Sequence, residues 1–120
     1  MSDRTDAALL CDIQQAIQRL LEYAAGMTYD AFVGDTRTQD AVIRNLEIVG
    51  EAAKNLSHEL LVRYPDAPWK SMAGVRDRLI HDYFGVNLDI VWQIASVELP
   101  KLAPLIAAIR ASRTASDAAA

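Results

Sequence analysis

The chain has 120 residues, 52% of them hydrophobic and 23% charged, and twelve Lys and Arg against sixteen Asp and Glu leave a net charge of −4. This composition predicts one soluble folded domain with a single core and excludes a second domain or a low-complexity chain. The lone cysteine, Cys11, excludes an internal disulfide and a thiolate metal site, which suits a reducing compartment, so a cytoplasmic location is expected.

Acids stand in the first six residues where a secretion signal would carry an apolar core, and no run of about 18 apolar residues is present, so neither secretion nor membrane spanning is expected. Leu9, Leu10, Ile13, Ile17, Leu20, Leu21 and Ala24 recur at three and four residues, which predicts a helix over about 5–25 that stops at Gly26. Thr28 is placed to cap a short helical turn through Phe32, ended by Gly34. Val42, Ile43, Leu46, Val49, Ala53 and Leu56 predict a second long helix over about 36–56, with Arg44, Glu47, Glu51 and Lys54 largely off its apolar stripe. From His58 to Ala73, Pro65 and Pro68 each lack an amide donor, which predicts short turns and a loop. A further helix is expected from Met72 to a break at Gly85, and Asn87 reads as the N-cap of a final helix over about 88–110 that Pro100 and Pro104 kink or divide. Residues 1–111 read as the domain and the small, polar residues 112–120 as a flexible tail. No strand alternation competes, so the fold class is all-α, an up-and-down bundle of four to five helices.

Charge is uneven: residues 1–62 carry −5 and residues 63–120 carry +1, so an anionic partner should meet the second half. His58 and His81 are far apart and neither stands in an H-x-x-x-H spacing, and no phosphate-cradling glycine loop is present, so neither a metal nor a cofactor is expected. The informative stretch is Val75 to Gly85, where Arg76, Arg78, His81 and Tyr83 crowd together. Arginine offers phosphate a planar fork of donors, and histidine exchanges a proton near neutral pH. RNA carries its own nucleophile in the 2′-hydroxyl, so a protein that removes that proton, stabilises the crowded phosphorane and protonates the leaving oxygen suffices for cleavage.

Asp77 and His81, and Arg78 and Asp82, are each four apart, so the same residues also read as ion pairs on a solvent-facing helix. Geometry poses a second question, because residues five apart lie about 140° apart around an ideal helix, so Arg76 and His81 of one chain do not face one phosphate, whereas Arg76 and Tyr83 align. Either the helix loosens near His81, or two chains meet here and share a cleft across a two-fold axis, supplying acid and base from different subunits.

Arg76-x-x-x-x-His81-x-Tyr83 resembles the R-x4-H-x-Y signature of the HepT-like proteins, a branch of the HEPN superfamily of small all-α domains. Three more blocks, in order, resemble the same family: Arg44-Asn45-Leu46-Glu47-Ile48-Val49-Gly50-Glu51-Ala52; Tyr64-Pro65 through Pro68-Trp69 to Met72-Ala73-Gly74-Val75-Arg76-Asp77; and Gly85-Val86-Asn87-Leu88-Asp89-Ile90-Val91-Trp92. The resemblance spans about residues 7–108, and every position of the signature is occupied.

It implies a HEPN-type bundle acting as a metal-independent endoribonuclease, the toxin of a bacterial or archaeal toxin–antitoxin pair of type II or type VII, dimeric with its cleft between subunits. Arg76 and His81 would be catalytic. The partner would be a minimal nucleotidyltransferase of the MntA type, which neutralises such toxins by placing AMP on the tyrosine matched here by Tyr83. Arg44 and Glu51 either line the cleft and orient Arg76 or His81, or form ion pairs between helices. Asp77 and Arg78 are candidate supports for RNA, and Lys70 with Arg78 either holds backbone or is simply solvated. Tyr83 also reads as a helix-end tyrosine, and Trp69 and Trp92 read as core rather than as base-stacking platforms. A different functional class stays open: the same fold as a non-catalytic nucleotide- or substrate-binding subunit of the nucleotidyltransferase, or a plain structural dimer.

Overall fold

The structure is a computed structural model that describes residues 4–79 and 85–119. Helix α1 (Asp6–Ala24) starts where the Thr5 hydroxyl accepts from the Ala8 amide at 3.2 Å. Its stripe of Leu10, Ile13, Ile17 and Leu20 is buried, as the three–four spacing requires. After Gly26, in the left-handed region at φ 73°, the short helix α2 (Tyr29–Val33) is capped by Thr28. Helix α3 (Thr36–Lys54) is capped by Asp35, whose carboxyl the Thr38 amide and hydroxyl hold below its ordinary value.

Pro65 and Pro68 break the next stretch into α4 (His58–Arg63) and α5 (Trp69–Ala73). Asp6 ties the start of α4 to the start of α1: its carboxylate accepts from the Ser57 amide at 2.9 Å and the Ser57 hydroxyl at 2.6 Å, while that hydroxyl caps α4. The helix expected to run unbroken from Met72 is instead interrupted at Gly74. The Gly74 amide closes α5 on Lys70, and its carbonyl accepts from Asp77 and Arg78 to open α6 (Val75–Leu79).

Asn87 caps α7 (Leu88–Gln93), as expected, through its side-chain oxygen. The division expected near Pro100 is a π-helical segment, Ile94–Glu98, leading into α8 (Leu99–Ala119). Pro100 has no amide to donate and its ring crowds the carbonyl four residues back, so the turn widens and the Leu99 amide reaches Ile94 instead. Pro104 sits inside α8 without ending it, and helical backbone runs to Ala119, past the expected end near 110, through an alanine-rich stretch of high helix propensity.

The architecture is the expected all-α bundle, with α1 packed mainly on α3 and α8, and α3 against α5 and α6. No sheet forms among the described residues. The continuous run 88–115 is long and apolar enough to cross a membrane, with mean hydropathy 1.3. One face of that run, Val91, Ile94, Leu99, Leu102, Ile106 and Ile109, enters the core, while a third of its apolar window is buried overall. Trp92 packs on Phe32 with ring centroids 5.2 Å apart, and Trp69 is buried with its indole N–H donating to the Tyr64 carbonyl at 2.7 Å. Trp69 is core, as read from sequence, and Trp92 is partly buried against the core.

Candidate functional site

Along α3 the polar residues Arg44, Glu47, Glu51 and Lys54 follow one another at three, four and three residues, so they form a continuous stripe opposite the buried Val42, Leu46 and Val49. Gly50 lies in the same helix where α5 and α6 cross it. A β-carbon there would sit 2.8 Å from Val75 Cγ1 and 3.3 Å from the Met72 carbonyl oxygen, so only glycine lets the backbones approach this closely. That approach sets Arg76, the residue after Val75, beside the polar stripe of α3.

The result is an open cleft of about 430 Å³ walled by α1, α3, α5 and α6. Arg44, Glu51 and Arg76, separated in sequence by up to 32 positions, all line it, together with Glu47, Lys54 and, from the N-terminal side, Arg4 and Asp12. Arg4 pairs with Asp12 at 3.1 Å. Arg44, Lys54 and Arg76 are exposed and form no ion pair among the described residues, leaving three cations facing two carboxylates. Among the described residues neither Arg44 nor Glu51 forms the ion pair between helices that the sequence left open. The two share one helix, and the Glu51 carboxylate accepts a long bond from the Asn55 side-chain amide at 3.4 Å.

Arg78 goes elsewhere. Two residues beyond Arg76 on a helix is roughly 200° around the axis, and Arg78 grips Glu98 of the π-helical segment with two bonds of 2.9 and 2.7 Å and reaches the Ser71 hydroxyl at 3.2 Å. The bond from Arg78 holds the Glu98 carboxyl below its ordinary value, and Glu98 in turn raises Arg78. This pair fixes α6 against the last helix rather than lining the cleft. The Arg78–Asp82 pairing open from sequence falls on a residue outside the described ones. Asp77 is exposed and does not line the cleft.

His81 and Tyr83 lie outside the described residues, as does Asp82. The chain on either side of them is fixed: the Asn87 amide donates to the Leu79 carbonyl at 2.7 Å, bringing the start of α7 to the end of α6, and Gly85 takes the left-handed φ of 99°. Among the described residues no group of three His, Cys, Asp or Glu side chains is placed to hold a metal ion. Chemically, the cleft offers two arginine forks and a lysine to an oxyanion, with carboxylates beside them that can orient those forks.

The cleft also contains Glu47, Lys54, Arg4 and Asp12, which were not among the candidate residues. The first two were legible as members of the three–four polar stripe; the last two arrive by tertiary packing and leave no local signal.

Comparison with known proteins adds a second line. The sequence profile of the family described as Ribonuclease HepT-like matches residues 13–109. The chain is 46% identical over 93 residues to a Methanocaldococcus jannaschii protein provisionally named an RNase, covering 78% of this chain and 77% of that one. It is 40% identical over 99 residues to a Thermococcus cleftensis protein provisionally named ribonuclease HepT, covering 82% and 90%. A Caldanaerobacter subterraneus protein, also provisionally named an RNase, is 42% identical over 99 residues, covering 82% and 88%. No solved structure matches.

Proposed function

Because this chain belongs to the Ribonuclease HepT-like family, we propose that it is a metal-independent endoribonuclease whose cleft binds an RNA phosphate, with Arg76 and His81 as its catalytic residues. The observation that carries this reading is the convergence of Arg76 with Arg44 and Glu51 in one open cleft. An anion site of this kind on a chain of net charge −4 is a local construction rather than a general basic surface.

In the proposed reaction the 2′-hydroxyl oxygen attacks the adjacent phosphorus while a base takes its proton. The bond to the 5′-oxygen breaks as an acid protonates that oxygen. Arg76, with Arg44 beside it, neutralises the charge that grows on the phosphorane oxygens. His81 serves as base or acid. Two copies of the chain meeting across the cleft would supply both roles at once, which also suits the angular separation of Arg76 and His81 on a regular helix.

The test is incubation of the purified protein with RNA in the presence of a chelator. The expected products end in a 2′,3′-cyclic phosphate, or its hydrolysis product, opposite a free 5′-hydroxyl, and DNA stays intact because it lacks the nucleophile. Cleavage that requires magnesium, or that leaves 5′-phosphates, would contradict the proposed chemistry.

The same reading makes the protein the toxin of a toxin–antitoxin pair, restrained by a partner nucleotidyltransferase that transfers AMP to Tyr83. A phosphodiester-linked adenylate tethered seven residues along the chain from Arg76 would compete with RNA phosphate at high effective concentration. Mass spectrometry of the co-expressed pair should show the adenylate on the wild type and none on Tyr83→Phe, which should still cut RNA but escape neutralisation. Adenylate persisting on the Phe variant moves the modification to another residue.

A further inference from the structure

On the far side of Lys54 from Arg76 a second, shallower cleft of about 620 Å³ opens, and Lys54 and Ala73 line both. Its floor and rim are Leu61, Pro65, Pro68, Trp69 and Lys70. Not one of its lining residues is a carboxylate, in a chain with more acids than bases, and Lys54 and Lys70 are both exposed.

The shelf is stiff. Each proline ring fixes its own φ, the Trp69 indole is pinned to the Tyr64 carbonyl at 2.7 Å, and the Trp69 amide donates to Ala67 at 2.9 Å. A rigid apolar surface flanked by two lysines that form no ion pair among the described residues, and continuous with the cleft proposed to take a phosphate, matches a single-stranded polynucleotide, whose bases need contact area and whose backbone needs positive charge.

We propose that this second cleft seats the nucleotides flanking the scissile phosphate. Lys54 holds the backbone where the two clefts meet, Lys70 holds the next phosphate, and the Pro65 and Pro68 rings carry a base. The site rests on the reading that the Arg76 cleft takes RNA, and it makes the substrate an extended single strand rather than a duplex, since an apolar shelf can only be used by a base whose face is free.

The test uses the intact protein and labelled 2′-O-methyl oligoribonucleotides, which lack the nucleophile, so binding is read apart from cleavage. Two lengths, about three and about twelve nucleotides, fall below and within the span of extended single-strand sites. Lys70→Glu should weaken the longer RNA about tenfold more than the shorter one and flatten the salt dependence of its binding by about 0.7 in slope for the lost phosphate contact. Lys70→Arg should restore both. Equal loss on both lengths, or a wild type that holds the longer RNA no better than the shorter, overturns the flanking site even if RNA is cleaved. A wild type that shows the length-dependent Lys70 effect but never cuts unmodified RNA keeps the flanking site and overturns the nuclease reading instead.

Discussion

Arg76→Ala should slow RNA cleavage by about two to three orders of magnitude, the usual loss when one preorganised donor to a developing oxyanion is removed. The side chain is exposed and lines the cleft without an ion pair among the described residues, so its removal opens no cavity and frees no buried charge. Helicity and the thermal midpoint should therefore stay close to wild type, within the range of ordinary surface substitutions. Arg76→Lys should recover only a minor part of the rate, because an ammonium restores the charge but not the planar fork that spans two phosphate oxygens. His81→Ala should fall to a similar level, and the double variant should be little worse than either single one, as expected of residues acting in one step. Single-turnover cleavage of a labelled RNA measures all four. An Arg76→Ala protein that cuts within about threefold of wild type would remove Arg76 from the chemistry, since no group that stabilises the phosphorane can be lost so cheaply.

The parts of this fold that were legible in the sequence are those written in local spacing. Leu10, Ile13, Ile17 and Leu20 repeat at the helical period and are buried in α1; Thr28 and Asn87 cap the helices they precede. The helix ends at Gly74 and Ile94 were harder, for different reasons. Gly74 interrupts a stretch whose apolar pattern continues through Met72, Val75 and Leu79, all buried, so periodicity alone joins α5 to α6. The π-helical segment was announced by Pro100, but whether a proline kinks, divides or widens a helix depends on which carbonyls find other donors.

At the site, the α3 stripe and Arg76 each carried a local signal, whereas their meeting did not: it depends on α3 and α6 crossing at Gly50. Arg78 shows the converse. Among the described residues its bonds reach Glu98, twenty positions on, a partner that local helical spacing does not announce. Two arginines two residues apart thus divide between two tasks, one facing the cleft and one anchoring the helix that presents it.

Gly50→Ala tests that arrangement from beneath. Alanine should favour the α3 helix by up to about 1 kcal/mol over glycine, but the new methyl group meets Val75 Cγ1 at 2.8 Å and the Met72 carbonyl at 3.3 Å. Val75 is buried and β-branched, with little freedom to turn away, and a backbone carbonyl cannot move without its helix. Overpacking of this kind costs about 1–3 kcal/mol, so the expected net change in stability is small to moderately unfavourable. The effect on cleavage should be larger. Relief of the contact shifts α5 and α6 away from α3 and carries Arg76 with them, and a displacement near 1 Å can cost about a hundredfold in rate. Because the added methyl group meets α5 and α6, the elements that carry Arg76, the loss should appear mainly in the single-turnover rate rather than in binding of the short 2′-O-methyl RNA. Val75→Ala, added to Gly50→Ala, removes the offending Cγ1 and should return part of the rate while lowering stability by its own cavity, a coupling that independent sites would not show. A Gly50→Ala protein that melts higher and cuts at the full rate would mean that α3 and α6 can separate without moving Arg76, and that the close crossing serves the core alone.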